Sequence, residues 1–341
     1  MLMYDDEGAA GRAMLALDIG GTKLAAGVVA ADGTALSFVT CPTRAEEGPD
    51  AALERLFALG RDALTAARID PASAPERLGG CGIGCGGPLD SETGVLIAPP
   101  HLPGWLDIPI ARLAHERYGV SAVLDNDGTA GAAGEWRFGA GRGTRHLVYL
   151  TVSTGVGGGV ILDGRTYRGA TGNGGEPGHV TVRSDGRPCH GCGRTGCLEA
   201  YASGTSIAAR AREALASGNT QSVLAALPDP GPTAADVAAA ARDGDPLATA
   251  LWDETTDALS EGLASIVNLY EPEVVVLGGG VTRSGEQLLT PIREKTARLA
   301  MGPAARARIV RTQAGDKAGV LGAAAVALER LVDDAVALPV A

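Results

Sequence analysis

The sequence predicts a duplicated α/β fold that forms two lobes with a cleft between them. A chain of 341 residues with 45% hydrophobic and 20% charged residues can bury a sizeable core. Chains of this length usually divide into two domains. A unit of strand, glycine-rich turn and strand opens at Met14 and recurs at His146, and such a repeat predicts the same hairpin in each lobe.

Strands and helices alternate in the first half of the chain. Residues 14–30 predict two apolar strands around a glycine turn. Apolar side chains at helical spacing predict a helix over residues 51–67. A strand begins at residue 81, and a helix over residues 108–117 leads into a strand at residues 121–124.

The second half repeats the hairpin and adds alanine-rich helices. Further strands are predicted at residues 146–153, 160–162 and 273–277. Helical spacing of apolar side chains predicts helices over residues 206–216, 233–259 and 319–332.

Charge and hydropathy exclude several classes of partner. The formal net charge is −11, whereas a nucleic-acid-binding surface needs clustered Lys and Arg. No apolar run approaches the ~20 residues that span a bilayer, and the N-terminal segment is acidic where a signal peptide would be basic. We therefore expect a cytoplasmic protein that binds neither nucleic acid nor membrane.

Two glycine turns are candidate phosphate-binding loops. In DIGGTK at residues 18–23, Gly20 and Gly21 allow a tight turn whose N–H groups face phosphate oxygens. Thr22 adds a hydroxyl, and Asp18 is placed to hold Mg²⁺ or its water. STGVGGG at residues 153–159 supplies a second such turn. Each turn alone is also compatible with an ordinary hairpin, but two of them around a cleft suit the polyphosphate of a nucleotide.

Residues 125–127, DND, lie at the end of a predicted strand. Phosphoryl transfer to an alcohol needs a carboxylate beside the acceptor hydroxyl, and either Asp125 or Asp127 would serve. The competing interpretation is the N-cap of a helix.

A cysteine cluster predicts a metal site. Cys189, Cys192 and Cys197 lie within nine residues, and thiols in a reducing cytosol seldom form structural disulfides. With one imidazole from His179 they make the Cys₃His set of a structural zinc site. His190 is an alternative ligand in place of His179 or Cys189.

Six motifs together resemble the ROK sugar kinases. In chain order they are DIGGTK at 18–23, DND at 125–127, TGVGGG at 154–159, GEPGH at 175–179, the cysteine cluster and LGGG at 277–280. The resemblance covers roughly residues 14–330 and implies the actin-like ATPase fold, also called the hexokinase or RNase H-like fold. The usual cysteine run of the family has one residue fewer between its first two cysteines.

The resemblance implies lobe boundaries and a role for each motif. We expect a small N-terminal lobe at residues 1–125, completed by a C-terminal helix at about 316–341, and a large lobe with the zinc loop at residues 126–315. Asp127 matches the general base of the family. Sugar contacts are implied for Asn126, Glu176, His179, Glu199 and Gly87. Contacts with MgATP are implied for Asp18, Gly20, Gly21, Thr22, Thr154, Gly155, Gly279 and Gly280. The family often has Asn where His101 stands, in the segment that closes the sugar pocket.

These expectations combine into an ATP- and Mg²⁺-dependent sugar kinase with structural Zn²⁺, whose expected acceptor is the 6-hydroxyl of glucose. N-acetylglucosamine or N-acetylmannosamine is the alternative acceptor, and a non-catalytic sugar sensor is a third possibility. Repressors of the same family carry a winged helix before the first glycine turn, whereas 17 residues precede Asp18 here. The resemblance also implies a homodimer or homotetramer.

Overall fold

The computed structural model describes residues 12–218 and 220–333. Its strands are β1 (Ala13–Ile19), β2 (Lys23–Val29), β3 (Val39–Pro42), β4 (Leu78–Cys85), β5 (Leu89–Asp90), β6 (Val95–Leu96), β7 (Ala122–Asn126), β8 (Leu147–Val152), β9 (Val156–Leu162), β10 (Arg165–Tyr167), β11 (Val274–Gly278) and β12 (Arg308–Arg311). Its α-helices are α1 (Pro49–Ala66), α2 (Ala74–Arg77), α3 (Ile110–Tyr118), α4 (Asp127–Phe138), α5 (Glu199–Ala202), α6 (Gly204–Ala216), α7 (Ala234–Arg242), α8 (Pro246–Tyr270), α9 (Glu286–Leu299) and α10 (Ala318–Leu328). A π-helical turn follows at Glu329–Asp333.

Two five-stranded sheets share one connectivity. The strand order is β3-β2-β1-β4-β7 in the first and β10-β9-β8-β11-β12 in the second. In each sheet the first three strands of the chain order pair antiparallel: β1 with β2 and β2 with β3 in the first sheet, and β8 with β9 and β9 with β10 in the second. The remaining pairs are parallel, so three strands of each sheet end at one edge. This repetition confirms the predicted duplicated α/β fold.

Two central helices connect the sheets. Helix α10 packs on β1 and β4 of the first sheet, α4 packs on β8 and β9 of the second, and the two helices pack on each other. A β-carbon placed on Gly134 of α4 would lie only 2.9 Å from Cα of Gly322 in α10. Glycine at this crossing therefore allows the close approach of the two helices, and α4 begins at Asp127.

Two helix boundaries differ from the sequence prediction. The predicted helix over residues 233–259 is two helices, because Gly244 has a φ of 87° and Asp245 caps α8 by accepting the N–H of Ala248 at 2.9 Å. The closing helix changes from α to π geometry after Leu328. Residues 1–11 and 334–341, at the ends of the expected small lobe, lie outside the described residues. Within the described ranges, no helix combines the length and the apolar character that a membrane span requires.

Candidate active site

The DND segment lies where β7 ends and α4 begins. Asn126 is the N-cap of α4, and its Oδ1 accepts the N–H of Gly128 at 2.8 Å. The predicted N-cap is therefore real, but it is formed by Asn126 and leaves both neighbouring carboxylates for other contacts. Asp125 is fully buried and lies 2.7 Å from Nε of Arg168, whereas Asp127 is accessible to solvent. Of the two carboxylates, only Asp127 is exposed, so only Asp127 is open to a substrate.

The parallel strands of the first sheet bring the predicted residues to one edge. Asp18 of β1 is in register with Gly84 of β4, and Gly84 is in register with Asp125 of β7. The turns that follow these strands therefore lie side by side. A β-carbon on Gly87 would lie 3.7 Å from Nδ2 of Asn126. The structure thus groups the first glycine turn, the turn at Gly87 and the DND segment.

Two carboxylates of this edge, Asp18 and Asp127, have raised pKa values. Burial raises the pKa of Asp18 to about 6, and the nearby charge of Asp127 adds to this rise. The pKa of Asp127 is also raised, because the protein around this solvent-accessible carboxylate reduces its hydration, while the N–H of Gly128 and the charge of His101 oppose the rise. Carboxylates with raised pKa values in one cleft are typical of a functional site.

Two residues from other parts of the chain contact the first glycine turn, and sequence reasoning missed one of them, Thr43. The hydroxyl of Thr43 donates to the carbonyl of Gly20 at 2.6 Å, and its N–H donates to the carbonyl of Thr22 at 3.0 Å. A β-carbon on Gly21 would lie 2.8 Å from the carbonyl oxygen of His101. No local pattern marks Thr43, whereas His101 lies in the segment that the family resemblance places at the sugar pocket.

The second glycine turn is tied to the cysteine loop through Glu199. Oε2 of Glu199 accepts the N–H of Val156 at 2.9 Å. A β-carbon on Gly155 would lie 2.7 Å from the same oxygen, so the turn and the carboxylate are in close contact. Removal from water raises the pKa of Glu176, and the charges of Asp127 and Glu199 add to this rise. Glu176 is therefore within electrostatic range of both groups of predicted residues.

Four side chains converge as the predicted metal site. The ligand atoms of His179, Cys189, Cys192 and Cys197 all lie within 4.8 Å of one another. Sγ of Cys189 is 3.7 Å from Nδ1 of His179, and the sulfurs of Cys192 and Cys197 are 3.6 Å apart. A tetrahedral zinc ion with Zn–S bonds of ~2.3 Å spaces its sulfurs by about 3.8 Å, so the cluster fits zinc. His190 is exposed and outside this set, which leaves His179 as the imidazole of the group.

A cavity of about 690 Å³ adjoins the second glycine turn. Thr154 and Gly280 line it together with the proline-rich loop at residues 230–232. Gly279 has a different place: its φ is 89°, and a β-carbon there would overlap the carbonyl of Val152. The charged side chains that line the cavity are all arginines, namely Arg212, Arg242 and Arg283.

Known proteins are similar to this chain along nearly its whole length. A glucokinase of Thermotoga maritima is 37% identical over 93% of this chain and 98% of that protein. An N-acetylmannosamine kinase of Escherichia coli is 33% identical over 92% of this chain and 98% of that protein. The crystal structure of a ROK family glucokinase from Streptomyces griseus, in complex with glucose and AMPPNP, is 35% identical, with a TM-score of 0.75, and covers 93% of this chain and 99% of that one.

The family assignment follows from the fold, the order of the motifs and one further comparison. A family model described as the ROK family matches residues 14–330, a range that contains all six motifs. The resemblance inferred from those motifs is confirmed, and the chain belongs to the ROK family.

Proposed function

We propose that the protein transfers the γ-phosphoryl group of ATP to the 6-hydroxyl of glucose, with Asp127 as general base. The observation that carries this proposal is the placement of Asp127, which is the accessible carboxylate of the DND segment and lies near Asp18 at the end of three parallel strands. The full-length similarity to a glucokinase of Thermotoga maritima supports glucose as the acceptor.

The reaction needs one proton acceptor and several groups that neutralise charge. The 6-oxygen of the sugar bonds to the γ-phosphorus, its proton passes to the carboxylate of Asp127, and the bond to the β,γ-bridging oxygen breaks as ADP leaves. Asp18 would hold Mg²⁺ or its water, and this ion supplies positive charge to the β- and γ-phosphates. The N–H groups and hydroxyls of the two glycine turns would hold the phosphate oxygens, through Gly21, Thr22, Thr154 and Gly155. The N–H of Gly20 instead closes the first turn, because it donates to the carbonyl of Lys23 at 3.0 Å.

The nucleoside would occupy the cavity beside the second glycine turn. Its volume of about 690 Å³ is within the usual range for pockets that bind small ligands. Gly280 lines the cavity, and Gly279 holds the backbone of the same turn against β8. The arginines at residues 212, 242 and 283 give this cavity a positive charge that suits an anionic donor.

The sugar would be held by polar groups from both sides of the cleft. Asn126 and the backbone of Gly87 belong to the first sheet, whereas Glu176, His179 and Glu199 come from the second half of the chain. Carboxylates accept hydrogen bonds from sugar hydroxyls, and a missing or inverted hydroxyl leaves a buried acceptor unpaired. We propose that zinc on His179 and the three cysteines holds this wall in place, with Nδ1 of His179 toward the metal.

Gly319 provides a test of the role of Asp18. A β-carbon on Gly319, in the first turn of α10, would overlap Oδ2 of Asp18. Alanine has the higher helix propensity, so Gly319→Ala should not weaken the helix itself. We expect this variant to displace the Asp18 carboxylate and to lower kcat/KM for MgATP by about 10-fold to 100-fold.

The control for this variant is Gly84→Ala, because a β-carbon on Gly84 would meet only Cβ of Ala130, at an ordinary 3.7 Å. Steady-state kinetics at varied MgATP and Mg²⁺ concentrations measure both variants. Equal values of kcat/KM for Gly319→Ala and the wild type would contradict the proposed role of Asp18 in holding Mg²⁺.

The acceptor is tested by measuring ADP release with MgATP and a panel of sugars. The panel contains glucose, mannose, N-acetylglucosamine, N-acetylmannosamine, glucosamine, allose and fructose. We expect glucose to give the highest kcat/KM. A higher value for N-acetylmannosamine would transfer the assignment to the second candidate, which the similarity to the Escherichia coli enzyme supports. Sugar binding without ADP release would identify a sensor instead of a kinase.

A further inference from the structure

Arg168 connects two buried carboxylates, of which one is Asp125 of the DND segment and the other is Glu329. Its Nε lies 2.7 Å from Oδ2 of Asp125, and its Nη2 lies 3.0 Å from Oε2 of Glu329. The side chains of Asp125 and Glu329 are 0% and 9% exposed. Thr166 donates its N–H and its hydroxyl to the two oxygens of Glu329, at 2.9 and 2.5 Å. We refer to Asp125, Thr166, Arg168 and Glu329 as the Arg168 cluster.

The Arg168 cluster joins three parts of the fold that are distant in sequence. Asp125 belongs to β7 of the first sheet, and Thr166 belongs to β10 at the edge of the second. Glu329 opens the π-helical turn after α10. The neighbouring Arg330 strengthens the same junction, because its Nη1 donates to the carbonyls of Leu124 and Ser91 at 3.0 and 2.9 Å. The two sheets and the C-terminal helix are therefore held together at one point.

Electrostatics make the cluster dependent on a guanidinium group. A buried carboxylate without a partner is costly, and breaking a buried ion pair leaves the remaining charge unpaired. The planar fork of arginine places separate N–H groups on Asp125 and on Glu329. A lysine ammonium is a single point charge and does not reproduce this two-sided geometry.

The cluster extends directly to the residues of the candidate site. Oδ1 of Asp125 accepts the N–H of Asn126 at 3.0 Å, while Oδ2 is held by Arg168. The peptide between Asp125 and Asn126, one residue before Asp127, is thus linked to Arg168 through a single carboxylate. Asp127 begins α4, so a shift of this peptide moves both the N-cap and the candidate base.

We propose that Arg168 is a positioning residue for phosphoryl transfer, which holds the strand end carrying Asn126 and Asp127 in a fixed place relative to both sheets. This inference rests on the proposed function, because it assigns Arg168 a role through Asp127. Arg168 itself contacts no substrate in this assignment. Its effect is on the distance between the base and the acceptor hydroxyl, where a displacement of about 1 Å can cost 10²-fold in rate.

The test compares Arg168→Lys with Arg210→Lys. Arg210 is a matched control because it is 3% exposed, pairs with Glu254 at 2.5 Å and donates to Thr255 and to the carbonyl of Tyr201, without contacting the DND segment. Thermal unfolding curves of both variants are recorded first, and kcat and the KM for sugar are then measured at a temperature at which both variants are folded. We expect Arg168→Lys to lose about 10-fold to 100-fold in kcat with KM changed by less than about threefold. Arg210→Lys should lose stability but keep the wild-type kcat.

A wild-type kcat in folded Arg168→Lys would overturn the inference while leaving the proposed function intact. A wild-type protein without phosphoryl transfer would overturn both. Glu329→Gln gives a second test if Arg168→Lys does not fold, because glutamine keeps the acceptor for one group of Thr166 and loses the charged oxygen that holds Nη2 of Arg168. The same fall in kcat at nearly constant KM is expected for this variant, and an unchanged kcat contradicts the proposal.

Discussion

Asp127→Asn is expected to reduce kcat by about 10³-fold, within the range that general bases contribute, while the Kd for sugar changes by less than about threefold. The amide has nearly the size of the carboxylate and keeps an oxygen that accepts the N–H of Gly128, which Asp127 binds at 2.8 Å. It has no basic oxygen to take the proton of the attacking hydroxyl. The variant therefore separates proton transfer from binding.

The pH profile gives this variant a second readout. Because the surrounding protein reduces the hydration of Asp127 and raises its pKa above the usual range, we expect kcat/KM of the wild type to fall as pH decreases through that raised pKa, where the base becomes protonated. Three other groups titrate nearby. The pKa of Asp18 is raised to about 6, burial lowers the pKa of His101, and burial raises the pKa of Glu176. The decrease of kcat/KM at low pH is assigned to Asp127 only to the extent that it is absent from the pH profile of Asp127→Asn.

Steady-state kinetics and calorimetric sugar titrations measure this prediction. Asp163→Asn is the control, because Asp163 is exposed and pairs with Arg145 outside the candidate site. Near-normal turnover in Asp127→Asn would contradict the account, since Asp125 is fully buried and ion-paired and offers no replacement.

Loss of the metal site is the second large expected effect. We expect Cys197→Ser to abolish zinc binding, to lower Tm by about 10 °C and to weaken sugar binding by at least about 10-fold. Cys197 is buried, and Glu199 follows it by two residues. The N–H of Leu198, between them, donates to the carbonyl of Val180 at 2.9 Å. His179 is both a proposed ligand and a proposed sugar contact. Removing one ligand is therefore expected to disturb two proposed sugar contacts, His179 and Glu199.

Elemental analysis, thermal unfolding and sugar titration check this prediction together. Cys41→Ser is the matched control, because Cys41 is a half-buried free thiol in β3, outside the Cys₃His group. Affinity for an ATP analogue should stay within about threefold of the wild type if the metal acts on the sugar side. A zinc-free preparation with unchanged Tm and unchanged sugar affinity would show that the cluster holds no structural metal.

Much of the fold and of the candidate site is visible in the sequence because it is encoded locally. A glycine turn between two apolar strands needs only neighbouring residues, and both hairpins were predicted within a few residues of β1, β2, β8 and β9. The cysteine cluster is also local, since its thiols lie within nine residues. Spacing alone therefore indicated a metal site.

The parts that sequence reasoning missed depend on distant contacts. Asp125 and Asp127 have the same chemistry, and their ranking depends on Arg168, 43 residues away. Arg168 in turn contacts Glu329, 161 residues further along the chain. Thr43 and Gly319 likewise act on residues 18–22 only through tertiary packing. The break between α7 and α8 was missed for a different reason, because helical spacing continues on both sides of a three-residue connection.

The most direct test of the central claim identifies the phosphorylated product. The protein is incubated with glucose and MgATP, and the mixture is followed by ³¹P nuclear magnetic resonance, with Asp127→Asn as the inactive reference. The account predicts one glucose 6-phosphate for each ADP formed, with loss of the signal in the variant. ADP without sugar phosphate, phosphate on another hydroxyl, or undiminished product in Asp127→Asn would contradict it.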